Sequence, residues 1–290
     1  MDFSNLKVKS ICECDVIDQL SIPHQVSFSI WDLKEDDEII NQIFLTIRDY
    51  ILTRAINIEF VVRCIEKAAT YRRKNIISLS KLFNLLKNEF KFDIQLDNYE
   101  IFILSTTKSP KTIQNILDIV PRNTPFYFVI WNDLNGLKKY LSDNFVSNLN
   151  HLVSKFDTSL IEMAAQYGNE EIFRFLKLND CTYDDKICEY AIIGSNFEII
   201  ESLRYENRNF GNYLSIAISC HRNDIADWII ENYNFEEFPI ALCLNWMNFQ
   251  AMTFCILNGF DVNRKVSFRR VHYSYIKQSF LYFMKFFSYM

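Results

Sequence analysis

The second half of the chain repeats a short pattern, and this repeat constrains the fold more than any other feature. The segment from Thr158 to Asp180 predicts a short helix, a turn at Gly168-Asn169 and a second helix. The same plan occurs in four other segments, at residues 124–141, 186–203, 212–229 and 238–255. The sequence therefore predicts about five helix–turn–helix units, which begin near residues 124, 159, 186, 212 and 238.

Two positions of the pattern keep the same spacing. The small or β-branched position of the first helix is Val129, Ala164, Ala191, Ala217 and Cys243, in steps of 35, 27, 26 and 26 residues. The apolar position of the second helix is Leu137, Ile172, Ile199, Ile225 and Ala251, in the same steps. One helix pair cannot bury both of its faces, so the units are expected to stack as an α-solenoid.

Composition supports an all-α protein. Of 290 residues, 49% are hydrophobic and 16% are aromatic, which argues against disorder. Glycine and proline number only five each, too few for the turns of a sandwich or barrel or for the glycine-rich loops of a doubly wound fold.

The N-terminal part predicts a separate helical domain over residues 31–120. Asp36 and Asn57 are positioned to cap helices, Ser78 or Ser80 to begin a third, and residues 111–119 to form a fourth. Residues 1–30 are expected to be irregular or strand-like, because Pro23 interrupts any helix there.

The repeat resembles the ankyrin repeat. Ser159 to Gly168 carries the Ala-Ala-x-x-Gly part of that signature, Thr124-Pro125 and Pro239 carry its opening, and Asn258 to Asn263 carries its close. The whole chain is similar to diverged ankyrin-repeat proteins of some unicellular eukaryotes, in which a helical region precedes the repeats. The resemblance covers about residues 122–263. The sequence therefore predicts a repeat domain over residues 121–264, followed by an aromatic C-terminal tail or capping helix over residues 265–290.

The resemblance implies a scaffold that binds another protein through the concave face and loops of the stack. Departures from the signature imply reduced loops, since a 26- or 27-residue step is shorter than the usual 33. One set of candidate binding residues lies between the first helix and the inter-helix turn of the units: Trp131, Asn132, Gln166, Tyr167, Asn245 and Trp246. The alternative role of the two tryptophans is packing between units. Candidate binding residues in the loops are Tyr183, Asp184, Tyr205, Glu206, Arg208, Phe235 and Glu236.

No motif predicts catalysis, a cofactor or a metal site. Cys220, His221 and Asp224 form the one nucleophile-like grouping, but adjacent helical residues point in different directions, and His221 is expected in a solvated turn. The eight cysteines lack a paired spacing and are expected to be reduced core thiols of a cytoplasmic protein, with disulfides or zinc as the alternatives.

Charge argues against nucleic acid as a partner, because the net charge is −5 and the basic residues are scattered. No apolar run is long enough to span a membrane, and the N terminus lacks a signal-peptide pattern. The tail from Ser267 to Met290 is aromatic and basic. It predicts a terminal helix that covers the last unit or, as the alternative, peripheral attachment of an adaptor to a membrane.

Overall fold

A computed structural model describes residues 7–106, 109–154, 157–233 and 238–260. These residues form sixteen α-helices and no β-strand, so the prediction of an all-α protein is confirmed for the described part of the chain. None of the helices in these ranges is both long and apolar enough to cross a membrane. Asp261 to Asn263 and the whole tail, including the basic residues of the membrane alternative, lie outside the described residues.

Six helices precede the repeats. They are α1 (Asp18–Trp31), α2 (Asp37–Leu52), α3 (Ile58–Tyr71), α4 (Ile76–Phe90), α5 (Tyr99–Thr106) and α6 (Pro110–Leu117). Asp36 caps α2 by accepting from the N–H groups of Glu38 and Ile39, and Asn57 caps α3 by accepting from Phe60 N–H. Both caps are as predicted.

The prediction that residues 1–30 are irregular is wrong from Asp18 onwards, because Pro23 lies inside α1. A proline within a helix costs about 3 kcal/mol through the lost hydrogen bond and the ring clash. Leu20, Val26 and Ile30 are buried on the same helix, and each such burial contributes about 1.5–3 kcal/mol. Packing of this face therefore outweighs the proline.

The predicted start of the third helix at Ser78 or Ser80 is also wrong. A 3-10 turn at Arg73–Asn75 leads directly into α4 at Ile76, two residues before Ser78. Both serines are buried inside the helix, as are Leu79 and Leu82. Helix α5 was not predicted, since its apolar residues surround the helix without forming a single face.

Five helix–turn–helix hairpins follow, at the predicted places. Hairpin 1 is α7 (Pro125–Ile130) with α8 (Leu134–Asp143), and hairpin 2 is α9 (Leu160–Gln166) with α10 (Glu170–Leu178). Hairpins 3, 4 and 5 are α11 (Ile187–Gly194) with α12 (Phe197–Tyr205), α13 (Leu214–Ser219) with α14 (Asn223–Asn232), and α15 (Ile240–Asn245) with α16 (Phe249–Leu257). All ten predicted core positions are buried.

Each hairpin turns through a residue with a positive φ. These residues are Asn132, Gly168, Ser195, His221 and Met247. In hairpins 1, 2 and 5 the next N–H bonds back five residues, from Asp133 to Phe128, from Asn169 to Ala164 and from Asn248 to Cys243. This bond satisfies a carbonyl at the helix end. This bond gives Phe128 of hairpin 1 the place that Ala164 has in hairpin 2. The sequence alignment matched Val129 with Ala164, so the structure shifts hairpin 1 by one residue.

Asparagine side chains at these turns link one hairpin to the preceding one. Asn169 Nδ2 donates to the carbonyls of Val129 and Ile130, at 2.5 and 3.3 Å. Asn196 Nδ2 donates to Gly168 O at 3.1 Å, and Asn248 Nδ2 donates to Ile218 O at 3.0 Å. The amides add a donor to carbonyls at the end of the preceding first helix or, for Gly168, in the turn that follows it, so they fix one hairpin against the next.

The chain divides into two compact units that do not follow sequence order. The terminal unit comprises Met1–Lys108, Ile218–Asp227 and Phe235–Met290, and the central unit comprises Ser109–Ala217 and Trp228–Asn234. Hairpins 1 to 3 lie in the central unit, and hairpin 5 lies in the terminal unit with α1 to α5. The predicted boundary near residue 121 stays a prediction.

Candidate functional site

In the central unit, Trp131 and Tyr167 occupy equivalent places. Each is the C-cap residue of its hairpin's first helix and directly precedes the positive-φ turn residue, Asn132 or Gly168. Trp131 is 41% exposed, and its ring lies 6.2 Å from the Tyr127 ring, between ring centroids. Gln166 and Tyr167 are half-buried. The helices that carry these residues, α7 and α9, pack together, so the central unit places four of the predicted edge residues on adjacent hairpins.

The equivalent edge of hairpin 5 is covered within the terminal unit. Lys67 Nζ donates to Asn245 Oδ1 at 3.4 Å and lies 4.7 Å from the centre of the Trp246 ring. The Tyr71 ring is 5.0 Å from Trp246, between centroids. Asn245 is buried and Trp246 is half-buried. Helix α3 thus packs on the two residues that the sequence predicts as binding anchors.

The expectation for His221 is confirmed for its position in a turn and is wrong for its solvation. His221 does lie in the turn of hairpin 4, but its ring stacks on Trp31 at 4.0 Å between centroids and 13° between planes. Its Nε2 is 2.6 Å from the Trp246 carbonyl, so the proton is on Nε2. Burial, with a smaller contribution from the charge of Arg72, lowers the pKa of His221 to about 3 against the opposing effect of that bond.

The predicted loop residues of the central unit come together. Tyr183 hydroxyl donates to Glu206 Oε2 at 2.7 Å, and Lys177 pairs with the same carboxylate. Arg208 donates to Asp185 Oδ1 at 2.5 Å, and its guanidinium carbon lies 5.2 Å from the centre of the Tyr183 ring. We call Lys177, Tyr183, Asp185, Glu206 and Arg208 the loop cluster.

Hydrogen bonds determine the charge state of the loop cluster. Burial raises the pKa of Tyr183, and the hydrogen bond to Glu206 raises it further, so the hydroxyl stays protonated and donates. Burial opposes the ionisation of Glu206, but the bonds from Lys177 and Tyr183 outweigh it and lower the pKa of Glu206. The loop cluster therefore presents a fixed arrangement of paired charges at neutral pH.

Two exposed apolar side chains lie next to the loop cluster. Leu178 ends α10 and Tyr205 ends α12, and the two residues are 79% and 78% exposed. They hold the same place in successive hairpins, 27 residues apart. We call Leu178 and Tyr205 the apolar pair. Sequence reasoning named Tyr205 but missed Leu178, which the 27-residue register could have identified from Tyr205.

The predicted binding residues therefore fall into three groups. Trp131, Asn132, Gln166 and Tyr167 share an edge of hairpins 1 and 2, and Asn245 and Trp246 are covered by α3. Tyr183, Glu206 and Arg208 are in direct contact, with Tyr205 beside them, while Asp184 precedes α11 and accepts from Lys186 N–H at 2.8 Å. Phe235 and Glu236 lie outside the described residues.

The cysteines and titratable groups give no sign of a metal centre in the described ranges, where no three His, Cys, Asp or Glu side chains converge suitably. Seven of the eight cysteines are buried and Cys12 is exposed, and none is joined in a disulfide. The prediction of core thiols thus holds for seven of them.

One family model matches the chain. It is described as a domain of unknown function, DUF3447, and matches residues 178–255. Those 78 of 290 residues run from the end of α10 to α16 and contain hairpins 3, 4 and most of 5. Comparison with curated proteins and with solved structures gave no significant match. The matched segment is thus part of the hairpin region and is similar to a family whose description assigns no activity.

Proposed function

We propose that this chain is a non-catalytic scaffold that binds another protein through an ankyrin-like stack of its five hairpins. The regular turns, the buried small residues and the asparagine links between hairpins support this reading. A reducing, cytoplasmic location is part of the proposal, supported by seven buried thiols.

The binding surface that we propose is the apolar pair with the loop cluster around it. The observation that carries the proposal is the exposure of Leu178 and Tyr205 at equivalent places in adjacent hairpins. Exposed apolar side chains with a polar rim are typical of protein-binding surfaces, and tyrosine is a common anchor there. The Trp131 edge of hairpins 1 and 2, which lies at the turn end of the hairpins, is a second candidate surface.

The partner is expected to contribute an apolar side chain to this surface. The charges of the loop cluster are already paired within the chain, so they favour a partner that brings hydrogen-bonding groups in preference to a large net charge. A non-catalytic role agrees with the state of His221, whose Nε2 proton is engaged by the Trp246 carbonyl. A general base needs an accessible nitrogen near its target.

The test is affinity capture from the native cell with three tagged full-length chains. The first is the unaltered chain, the second carries Leu178→Glu and Tyr205→Glu, and the third carries Leu52→Glu. Leu52 is a matched control, since it is exposed and apolar but lies on α2 of the terminal unit. We expect a partner that the unaltered chain and the control capture and the double variant loses.

Circular dichroism must show the same helix content in all three chains. If the double variant retains every captured protein, the apolar pair is not the binding surface. The variant Trp131→Ala then tests the remaining edge in the same assay.

A further inference from the structure

The N-terminal segment, residues 8–14, lies on the surface of hairpins 4 and 5 that belongs to the terminal unit. Three side chains hold it, Asp227 on α14 with Gln250 and Asn258 on and after α16. We propose that this surface, the peptide groove, is a binding site for a short peptide of a partner protein. The N-terminal segment then occupies the groove as an intramolecular competitor.

Two amide side chains in the groove recognise peptide backbone. Val8 N–H donates to Asn258 Oδ1 at 3.0 Å, and Asn258 Nδ2 donates to Val8 O at 3.0 Å. Gln250 Nε2 donates to Cys12 O at 3.0 Å. A primary amide that both donates to and accepts from one residue reproduces the pairing of a neighbouring β-strand. These contacts do not depend on which side chains the bound segment carries.

Asp227 gathers three donors from the segment. Its carboxylate accepts from Ile11 N–H at 2.6 Å, from Cys12 N–H at 3.0 Å and from Ser10 Oγ at 2.8 Å. Hydrogen bonds to an ionised acceptor are about twice as strong as neutral ones. The hydroxyl contact selects for serine or threonine at this place, because an alanine would leave one carboxylate oxygen with fewer donors.

Only two side chains of the segment are fully buried. Ile11 is 0% exposed and Cys14 is 4% exposed, whereas Lys9, Cys12 and Glu13 are exposed. A turn sets their spacing, since Cys14 N–H donates to Ile11 O at 3.2 Å and Glu13 N–H donates to Ser10 Oγ at 3.1 Å. The groove thus fits a peptide with serine or threonine, then a branched apolar residue, and a small apolar residue three positions later.

The segment is suited to exchange. It is short and belongs to no helix, and residues 15–17 connect it to α1 without being buried. The apparent affinity of a competing peptide is its intrinsic affinity multiplied by the fraction of time that the groove is open. Weakening the segment therefore increases the affinity for a peptide supplied in trans. This inference goes beyond the proposed function and concerns a different surface. A negative result for the peptide groove therefore does not contradict the apolar pair as a binding surface, and the reverse also holds.

The experiment measures binding of a fluorescein-labelled peptide of residues 7–16 to the full chain under reducing conditions, by fluorescence anisotropy. The variant Ile11→Gly weakens the segment while the groove stays intact. We expect this variant to bind the peptide at least tenfold more tightly than the unaltered chain does. Adding Asp227→Asn to the variant should reverse the gain, and a peptide with glycine in place of isoleucine should not bind.

Equal binding by the unaltered chain and a folded Ile11→Gly variant would overturn the proposal. A second measurement covers the case in which that variant does not fold. Hydrogen–deuterium exchange of the unaltered chain, with the unlabelled peptide in large excess, should accelerate at the Ile11 and Cys12 amides as the segment is displaced. Unchanged exchange at these amides would refute the competitor role by itself.

Discussion

Hairpins 2 and 5 follow the same plan, yet their edges have different surroundings. Both end their first helix in an aromatic C-cap, Tyr167 or Trp246, and both use a buried asparagine to bond the preceding hairpin. In the central unit the edge stays partly open beside exposed Trp131, whereas α3 covers Asn245 and Trp246 in the terminal unit. Equivalent repeat positions therefore differ in availability, because segments outside the repeat decide what covers them.

The largest expected effect is on the free energy of unfolding of Gly194→Ala, a substitution that tests how closely hairpins 2 and 3 pack. A Cβ on Gly194 would lie 2.0 Å from Ala165 O and 2.8 Å from Gly168 N, both backbone atoms. Backbone cannot yield as a side chain can, so we expect Gly194→Ala to lower the free energy of unfolding by about 3 kcal/mol. Urea denaturation of the variant and the unaltered chain measures this loss of stability.

Gly259→Ala is the control for that substitution in the terminal unit. Its Cβ would meet nothing within 4 Å, and only its φ of +72° opposes a side chain. A cost of about 1 kcal/mol is expected. Similar losses in the two variants would mean that hairpins 2 and 3 do not pack as closely as described.

The second prediction compares the asparagine links of the two units. Asn169→Ala and Asn248→Ala each remove a buried amide that donates to a carbonyl of the preceding hairpin. We expect each to cost about 2 kcal/mol in unfolding free energy, because the hydrogen bond and the packing of the buried amide are lost together. Thermal and urea unfolding of both variants should agree. A large cost in one unit only would break the equivalence of the hairpins.

The third prediction concerns pH and applies only to the terminal unit. Because the folded-state pKa of His221 is about 3 and its ordinary value is 6.5, the unfolded chain takes up the proton first as pH falls. The contribution of neutral His221 to stability is thus full above pH 6.5 and is lost as pH falls from there towards 3, at about 1.4 kcal/mol per pH unit.

The variant His221→Asn, which tolerates the positive φ, isolates this effect. Urea unfolding between about pH 6.5 and pH 5 should show a shallower loss of stability in the variant, by roughly that slope. Parallel pH profiles for the two chains would contradict the shielding of His221 by Trp31.

The smallest expected effect is on the stability of the loop cluster. Arg208→Gln removes an ion pair with Asp185, whose side chain is exposed, and such pairs contribute about 0.5 kcal/mol or less. We expect nearly unchanged unfolding but weaker capture of the partner, measured together on one preparation. Tyr183→Phe is the companion variant, because it removes one hydroxyl and leaves Arg208 in place. A marked loss of stability with unchanged capture would make the cluster structural.

The hairpins could be predicted because their signals are local. Small core residues such as Ala164 and Ala191 recur at a fixed step, and asparagines mark the turns between the helices. Helix α1 could not be predicted because burial by distant residues outweighs Pro23, and no local pattern reports that burial. Stacking as a solenoid stays a prediction.

The candidate surface was predicted only in part for a similar reason. Tyr183, Glu206 and Arg208 lie in the loops, where their contact follows from the repeat register. Coverage of Trp246 depends on Tyr71, which is 175 residues earlier in the chain. A single sequence carries no signal for such a pairing.

The terminal unit is assembled from both ends of the chain, and this affects the order of folding during synthesis. Val8 leaves the ribosome 250 residues before Asn258, to which it bonds. The central unit is complete once residue 234 is free, so it can fold while the first helices still await their partners. Until then α1 and α3 can pack on each other, but the faces that contact hairpins 4 and 5 stay uncovered until those hairpins have been synthesised.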